Sequence, residues 1–200
     1  MNDFRERVNA ASGLRRPDFS QYPARLKPTL NVRTTKNCIH SQILRPIRPE
    51  DEPAMRRFHS QLSEDSVYER YFEHFTLEGR IDHQRLSRIC TNNSDSFALV
   101  VERQDRPGQQ AEILGVGRLT TTDEPFVAAF AVLVRDDARG SGLEAVMIDR
   151  LIDLARAFGF KLLVDDELVS NHDLLNLCKK LGFTLHTIPD EGIVRVCLTL

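Results

Sequence analysis

Apolar and polar positions follow two rhythms in this chain, and the change between them is sharpest across residues 130–183. Residues 130–134 form a short unbroken apolar run that ends in the charged Arg135-Asp136-Asp137. The turn Arg139-Gly140-Ser141-Gly142 comes next, and then apolar residues at Leu143, Val146, Met147, Leu151, Leu154 and Ala155. Those intervals of three and four place one buried stripe on a helix. A second apolar run at 162–164 and a second helical pattern at 173–181 complete a unit of strand, turn, helix, strand, helix.

The flanking chain supports the same reading. Residues 43–48 predict a strand. Residues 49–62 predict a helix whose first turn carries Pro49 and the acids Glu50, Asp51 and Glu52, as the helix dipole favours. A second helix is expected to begin at Ser63 and to carry Tyr68, Tyr71, Phe72 and Phe75, an aromatic set whose spacing suits a core. A third helix is expected over 82–90. Strands follow at 96–102 and 113–122 around a loop with Pro107-Gly108, and at 126–134. A terminal hairpin, 184–188 with 193–200, turns at Pro189-Asp190-Glu191-Gly192. The expected fold class is α/β, a mixed and mostly antiparallel sheet with helices on both faces. Residues 1–42, polar and punctuated by Pro17, Pro23 and Pro28, read as an N-terminal arm or linker with a short strand near Leu30. Residues 43–200 read as the folded domain.

Composition narrows the function classes. A 200-residue chain with 41% hydrophobic and 28% charged residues can bury a real core, and a net charge of −2 gives no general attraction to nucleic acid or membrane. The dispersed Arg15, Arg16, Arg25 and Lys27 match no nucleic-acid recognition motif. No apolar run is long enough for a spanning helix, and the N-terminus lacks a signal-peptide core, so a cytoplasmic location is expected. Cys38, Cys90, Cys178 and Cys197 are scattered without metal or disulfide spacing and read as reduced thiols. The six histidines show no metal spacing either, so no metal is expected; His172 reads as a surface residue.

The candidate chemistry lies in the glycine turn. A strand feeding a helix N-terminus through glycines offers free amides and the positive end of a dipole, which suits a phosphate. The same residues also suit a plain tight turn. The stretch is neither a Walker A loop, because no Gly-Lys-Ser/Thr follows, nor a three-glycine dinucleotide fingerprint.

Taken whole, residues 130–183 resemble the acyl-CoA-binding half of the GNAT superfamily of N-acetyltransferases. That family has an Arg/Gln-x-x-Gly-x-Gly/Ala turn; Arg139 and Gly142 fill the first two places here and Glu144 stands in the third. Asn171 and Leu181-Gly182-Phe183 are similar to the Asn that opens the family's next helix and the Leu-Gly-Phe that ends it. Upstream, Leu44-Arg45-Pro46-Ile47-Arg48-Pro49-Glu50-Asp51-Glu52-Pro53, with Leu62-Ser63 and Tyr71-Phe72, resembles the opening of bacterial protein-lysine acetyltransferase domains of the Pat type. Residues 43–200 carry the likeness, and Tyr22-Pro23 is similar to the linker before such domains.

The resemblance implies acetyl-CoA as co-substrate, with the pantetheine on the backbone near Val132 and Val134. It implies the pyrophosphate on the amides of Arg139, Gly140, Ser141, Gly142, Leu143 and Glu144, and Asn171 against the cofactor arm. By its own chemistry Asn171 is also a good N-cap. Two departures stand out. Glu144 brings bulk and a like charge, and Ser141-Gly142-Leu143-Glu144 fits a capping box that would occupy the phosphate donors; alternatively the side chain points into solvent. Ala129 stands where Pat-type domains carry the Glu taken as general base. Asp166 is the nearest substitute base, Asp123 and Glu124 weaker ones, and all three are ordinary surface acids on sequence grounds. Cys178 replaces the general-acid Tyr of the wider superfamily and reads as a small buried apolar residue. The implied function is an acyl-CoA-dependent N-acetyltransferase acting on a lysine or other primary amine, with a protein lysine as possible partner. The alternative is a degenerate, non-catalytic domain that senses acyl-CoA or binds protein.

Overall fold

The computed structural model describes residues 16–32, 41–104, 111–189 and 191–200. The first fifteen residues of the expected arm, Cys38, the Pro107-Gly108 loop and Asp190 of the terminal turn lie outside them. Eight strands form one sheet: β1 Leu30–Val32, β2 Ser41–Pro46, β3 Ser96–Gln104, β4 Glu112–Thr121, β5 Val127–Val134, β6 Leu162–Leu168, β7 Thr184–Ile188 and β8 Ile193–Thr199. Their spatial order is β1-β2-β3-β4-β5-β6-β8-β7. Every neighbouring pair is antiparallel except β5 with β6. The mixed, mostly antiparallel sheet expected from the sequence is therefore present.

Among the described residues six helices cover it: α1 Glu52–Ser60, α2 Glu64–Tyr71, α3 Leu77–Ile81, α4 His83–Ile89, α5 Leu143–Phe158 and α6 His172–Lys180. Strand residues that alternate in the chain serve two cores, which is why the central strands read as unbroken apolar runs. On β3, Phe97, Leu99 and Val101 join Met147, Leu151 and Leu154 of α5. Ala98 and Val100 join Met55, Phe58, Val67 and Leu86 from α1, α2 and α4. Helices on both faces follow directly.

Three local differences from the pattern have clear causes. The segment 49–62 splits into a 3-10 turn at Pro49–Asp51 and then α1, because the buried Arg45 draws in the Asp51 carboxylate with bonds of 2.7 and 2.8 Å. Arg45 also donates to Glu102 at 2.5 Å, so β2, β3 and the entry to α1 are tied at one buried point. The helix starting after Ser63 stops at Tyr71, where Phe72 adopts a left-handed φ of 58°. α3 is a five-residue helix capped by Thr76, too short to show a period in the sequence.

Residues 16–32 pack down on the domain. Phe19 is buried, stacked 5.1 Å from Phe160 and edge-on to Phe158 at 4.9 Å. Arg150 donates to the Tyr22 hydroxyl at 2.7 Å and to the Lys27 carbonyl. β1 then adds an edge to β2, with Leu30 opposite Leu44.

Candidate active site

β5 and β6 are paired only where Val127, Ala128 and Ala129 meet Leu162, Leu163 and Val164. Beyond that point β5 stays with β4 as far as Val134, and β6 stays with β8 as far as Leu168, so the two strands splay. The wedge between them opens into a groove of about 430 Å³, bordered by Val132 and Val134 on one side and Asp165 and Glu167 on the other. Strand backbone that lacks a neighbour must find another hydrogen-bond partner, and here that partner would come from the groove.

The glycine turn closes one end. A 3-10 turn at Asp136–Ala138 leads to Gly140 and Gly142, whose φ values of 66° and 92° require glycine-like freedom. α5 then begins at Leu143, and the first helical bond runs from the Val146 amide to the Gly142 carbonyl. The amides before it have no intrahelical partner. The capping box is not formed. Ser141 donates its hydroxyl to the Ala138 carbonyl at 2.6 Å, and among the described residues no side chain accepts from the amides of Gly142, Leu143 or Glu144. Glu144 borders the groove, half-buried, and makes no hydrogen bond or ion pair among the described residues.

The loop is held from the far side by α2. Asp136 accepts from the Ser63 amide at 2.9 Å, the Ser63 hydroxyl at 2.8 Å and the Ser66 hydroxyl at 2.6 Å. Burial alone would raise its pKa, but these bonds outweigh it and hold the carboxyl below its ordinary range. Arg139 reaches Glu69 at 2.7 Å, which spans the rim from turn to helix.

On β6, Leu163 packs with the α5 and α6 core, so Asp165 and Glu167 share its face and Asp166 points the other way. Asp166 accepts two bonds from Arg195 of β8, 2.7 and 2.6 Å long. Asp165 and Glu167 lie within hydrogen-bonding reach of each other. Burial is the main cause that raises both, and the Asp165–Glu167 repulsion adds to the rise of Asp165; Glu167 is pushed up to about 7. Asn171 donates to Glu167 at 3.2 Å and caps α6 by accepting from the Leu174 amide at 3.4 Å. Beneath the pair, the buried Cys178 thiol is pushed up to about 12, chiefly by burial. It stays protonated at neutral pH, as a small core residue does.

A second groove of about 690 Å³ lies on the face of β6 that carries Val164 and Asp166. Ala129 and Val164 form part of its apolar floor, Asp123 and Glu124 stand at its edge, and the left-handed Phe72 presents its ring there. Asp165 and Asp166 border both grooves, so the two cavities meet at the point where the sheet divides.

The fold that carries this site has counterparts among known proteins. The profile of the acetyltransferase (GNAT) family matches residues 56–183. The chain belongs to the GNAT family. An acetyltransferase of Pseudomonas aeruginosa is 30% identical over 150 residues, 75% of this chain and 78% of that protein. The GNAT domain of S. lividans PAT superposes with a TM-score of 0.74 at 22% identity, over 90% of this chain and all of that one. The protein yncA of Salmonella typhimurium, whose structure contains its cofactor acetyl-CoA, superposes with a TM-score of 0.57 at 19% identity, over 80% of this chain and 94% of that one.

Within this GNAT domain the residues expected around acetyl-CoA converge. Val132, Val134, Arg139, Gly140, Gly142, Glu144 and Asn171 all border the first groove. Ser141 and Leu143 do not: both side chains are buried, and Leu143 belongs to the core. Asp166 borders the groove with its carboxylate held by Arg195, and Ala129, Asp123 and Glu124 lie on the second groove. His172 is exposed and borders neither groove. Sequence reasoning missed the Asp165–Glu167 pair and the α2 residues Glu69 and Arg70 that face it. The pair had a readable signal, since two acids separated by one residue on a strand share a face.

Proposed function

We propose that this GNAT domain transfers the acetyl group of acetyl-CoA to a primary amine, with a protein lysine as the favoured acceptor, in the cytoplasm. One observation carries the reading: the unpaired edge of β5 and the open amides at the start of α5 face the same groove, and that groove meets a second one at Asp165. The residues present fit a thioester carrier. The amides at Gly142, Leu143 and Glu144 would hold the pyrophosphate, the backbone at Val132 and Val134 the pantetheine, and Asn171 the start of α6 beside it. The carrier would supply an activated acyl carbonyl, and the amine would approach from the second groove, whose floor is apolar and whose edge is acidic. That combination suits an aliphatic chain ending in a cation. Residues 1–42 would serve as the arm or linker that precedes the domain.

Titration with acetyl-CoA tests the reading. At a hundredfold excess over Kd, binding to the native state alone stabilises by about 2.7 kcal/mol. For a domain of this size that corresponds to a rise in melting temperature of roughly 5–10 °C. Acetylation of lysine peptides, followed by mass spectrometry, then identifies the acceptor class. An unchanged melting temperature sinks the proposal. The replacement at Ala129 favours a second reading, an acyl-CoA sensor or protein-interaction module without turnover. A thermal shift with no product on any amine is its signature.

A further inference from the structure

A GNAT domain with Ala129 in place of the usual acid has no proton acceptor on β5, and Asp166 is engaged by Arg195 on the second-groove face of the sheet. The groove nevertheless contains a pair of carboxyls. Asp165 is the first residue of β6 beyond the last rung shared with β5, the Ala129–Val164 pair, so it stands at the apex of the splay. It borders both the groove assigned to the thioester and the groove assigned to the amine. Glu167, two residues on, shares its face and lies close enough for the two carboxyls to interact. Asn171, fixed by capping α6, holds Glu167 from the other side at 3.2 Å.

We propose that Asp165 and Glu167 act together as the proton acceptor of the transfer reaction, in the role that Ala129 cannot fill, with Asn171 as the residue that positions Glu167. The proposal rests on the transferase reading above. Two neighbouring carboxyls, Glu167 buried and Asp165 half-buried, cannot both ionise easily, so the pair favours sharing a proton and is poised to accept one. The charged groups around it are Arg70 and Glu69 from α2, with Arg139, Glu144 and Asp173 on the same groove, and the neutral Cys178 thiol of α6 lies beside it. Arg70 favours the ionised form, and burial opposes it.

The step balances as follows. An ammonium acceptor gives one proton to the pair and becomes a free amine, whose lone pair attacks the thioester carbonyl. The new C–N bond forms, the C–S bond breaks, and the sulfur leaves as a thiolate. A second proton lost by the nitrogen ends on that sulfur as a thiol. The proton on the pair is released to solvent, so each turnover yields one amide, one thiol and one proton.

Asp165→Asn and Glu167→Gln test the assignment, with acetyl-CoA as the donor and a lysine-peptide library as the acceptor. Each variant is expected to lose about 10²-fold or more in kcat/KM, the usual contribution of a positioned base, while the thermal shift with acetyl-CoA is retained. The rising limb of the pH profile, expected near 7 in the parent, should disappear in Glu167→Gln. Asn171→Ser keeps a capping hydroxyl but removes the donor to Glu167. Its rising limb should move to higher pH, because the lost hydrogen bond favoured the ionised form. Retention of kcat/KM within twofold and an unchanged pH profile in these variants overturn the proposal. So does a parent protein that binds acetyl-CoA without acetylating any peptide, an outcome that leaves acyl-CoA binding intact. Absence of acetyl-CoA binding by the parent overturns the transferase reading itself, and this assignment with it. If the two β6 variants do not fold, the Asn171→Ser pH profile alone decides.

Discussion

The two edges of β5 differ sharply in how they are paired. Toward β4 the strand is paired rung by rung, from Ala128 opposite Thr121 to Val134 opposite Gly115. Toward β6 it is paired over three residues and then stands free. The paired edge belongs to a half-sheet with helices on both faces and a buried charge cluster at Arg45. The free edge faces a groove built from backbone, a glycine turn and acids. The comparison teaches where the sheet is closed: the first half pairs its strand backbone internally, whereas the free edge of β5 has no strand partner among the described residues.

The strongest test of the paired side is Arg45→Met. It removes the guanidinium that bridges the buried carboxylates of Asp51 and Glu102 and should cost about 3–5 kcal/mol in urea unfolding. A loss below about 1 kcal/mol would mean that this cluster does not hold the half-sheet together.

A pH scan of melting temperature separates the two sides by sign. His59, buried under the helices of the paired half, is held down to about 3 by burial and then by Arg85 and Arg80. A depressed folded value makes its stability fully present above about 6.5 and lost as pH falls toward 3. Glu167 is raised, so its contribution is present below about 4.5 and lost as pH rises through about 7; Asp165 is raised as well and acts in the same direction. Each titrating group changes stability by at most about 1.4 kcal/mol per pH unit; the two trends oppose each other between about 4.5 and 6.5, so stability should be greatest across that range. Glu167→Gln should flatten the alkaline slope and leave the acid slope in place. An alkaline slope unchanged by the substitution would contradict the buried carboxyl pair.

Gly142→Ala touches only the open side. A Cβ there meets open space, so the cost comes from the φ of 92° and should be about 1–2 kcal/mol. Acetyl-CoA affinity should fall as the amides lose their alignment; calorimetric titration reads both partners, and an unchanged Kd would remove the phosphate cradle from this turn. The smallest effect is expected of Glu144→Gln. Removing a like charge from the groove should tighten acetyl-CoA by up to about fivefold, roughly 1 kcal/mol, given solvent screening at a half-exposed site. No gain would mean that the carboxylate points away from the diphosphate.

Much of this was legible from neighbouring residues. The apolar runs, the stripe of α5 and the glycines of the turn report local geometry, and each appears where the pattern implied. Asn171 shows how far such reading extends. Its capping bond to Leu174 follows from the residue type, whereas its bond to Glu167 depends on how α6 seats against β6. The capping box at Ser141 and Glu144 was an equally good local pattern, and it is not formed. Ser141 is turned toward the Ala138 carbonyl by a preceding 3-10 turn that the spacing alone did not reveal.

Amino-acid order alone determined the family, the strand and helix types and the glycine turn, because these depend on periodicity and backbone freedom within a few residues. Assembly of the sheet decided which acid is free to act. Asp165 and Asp166 are adjacent and chemically alike, yet a partner 29 residues away on β8 engages one, while a three-rung register on β5 leaves the other at the apex of the wedge. Register and strand separation are properties of distant pairings, and no local pattern encodes them.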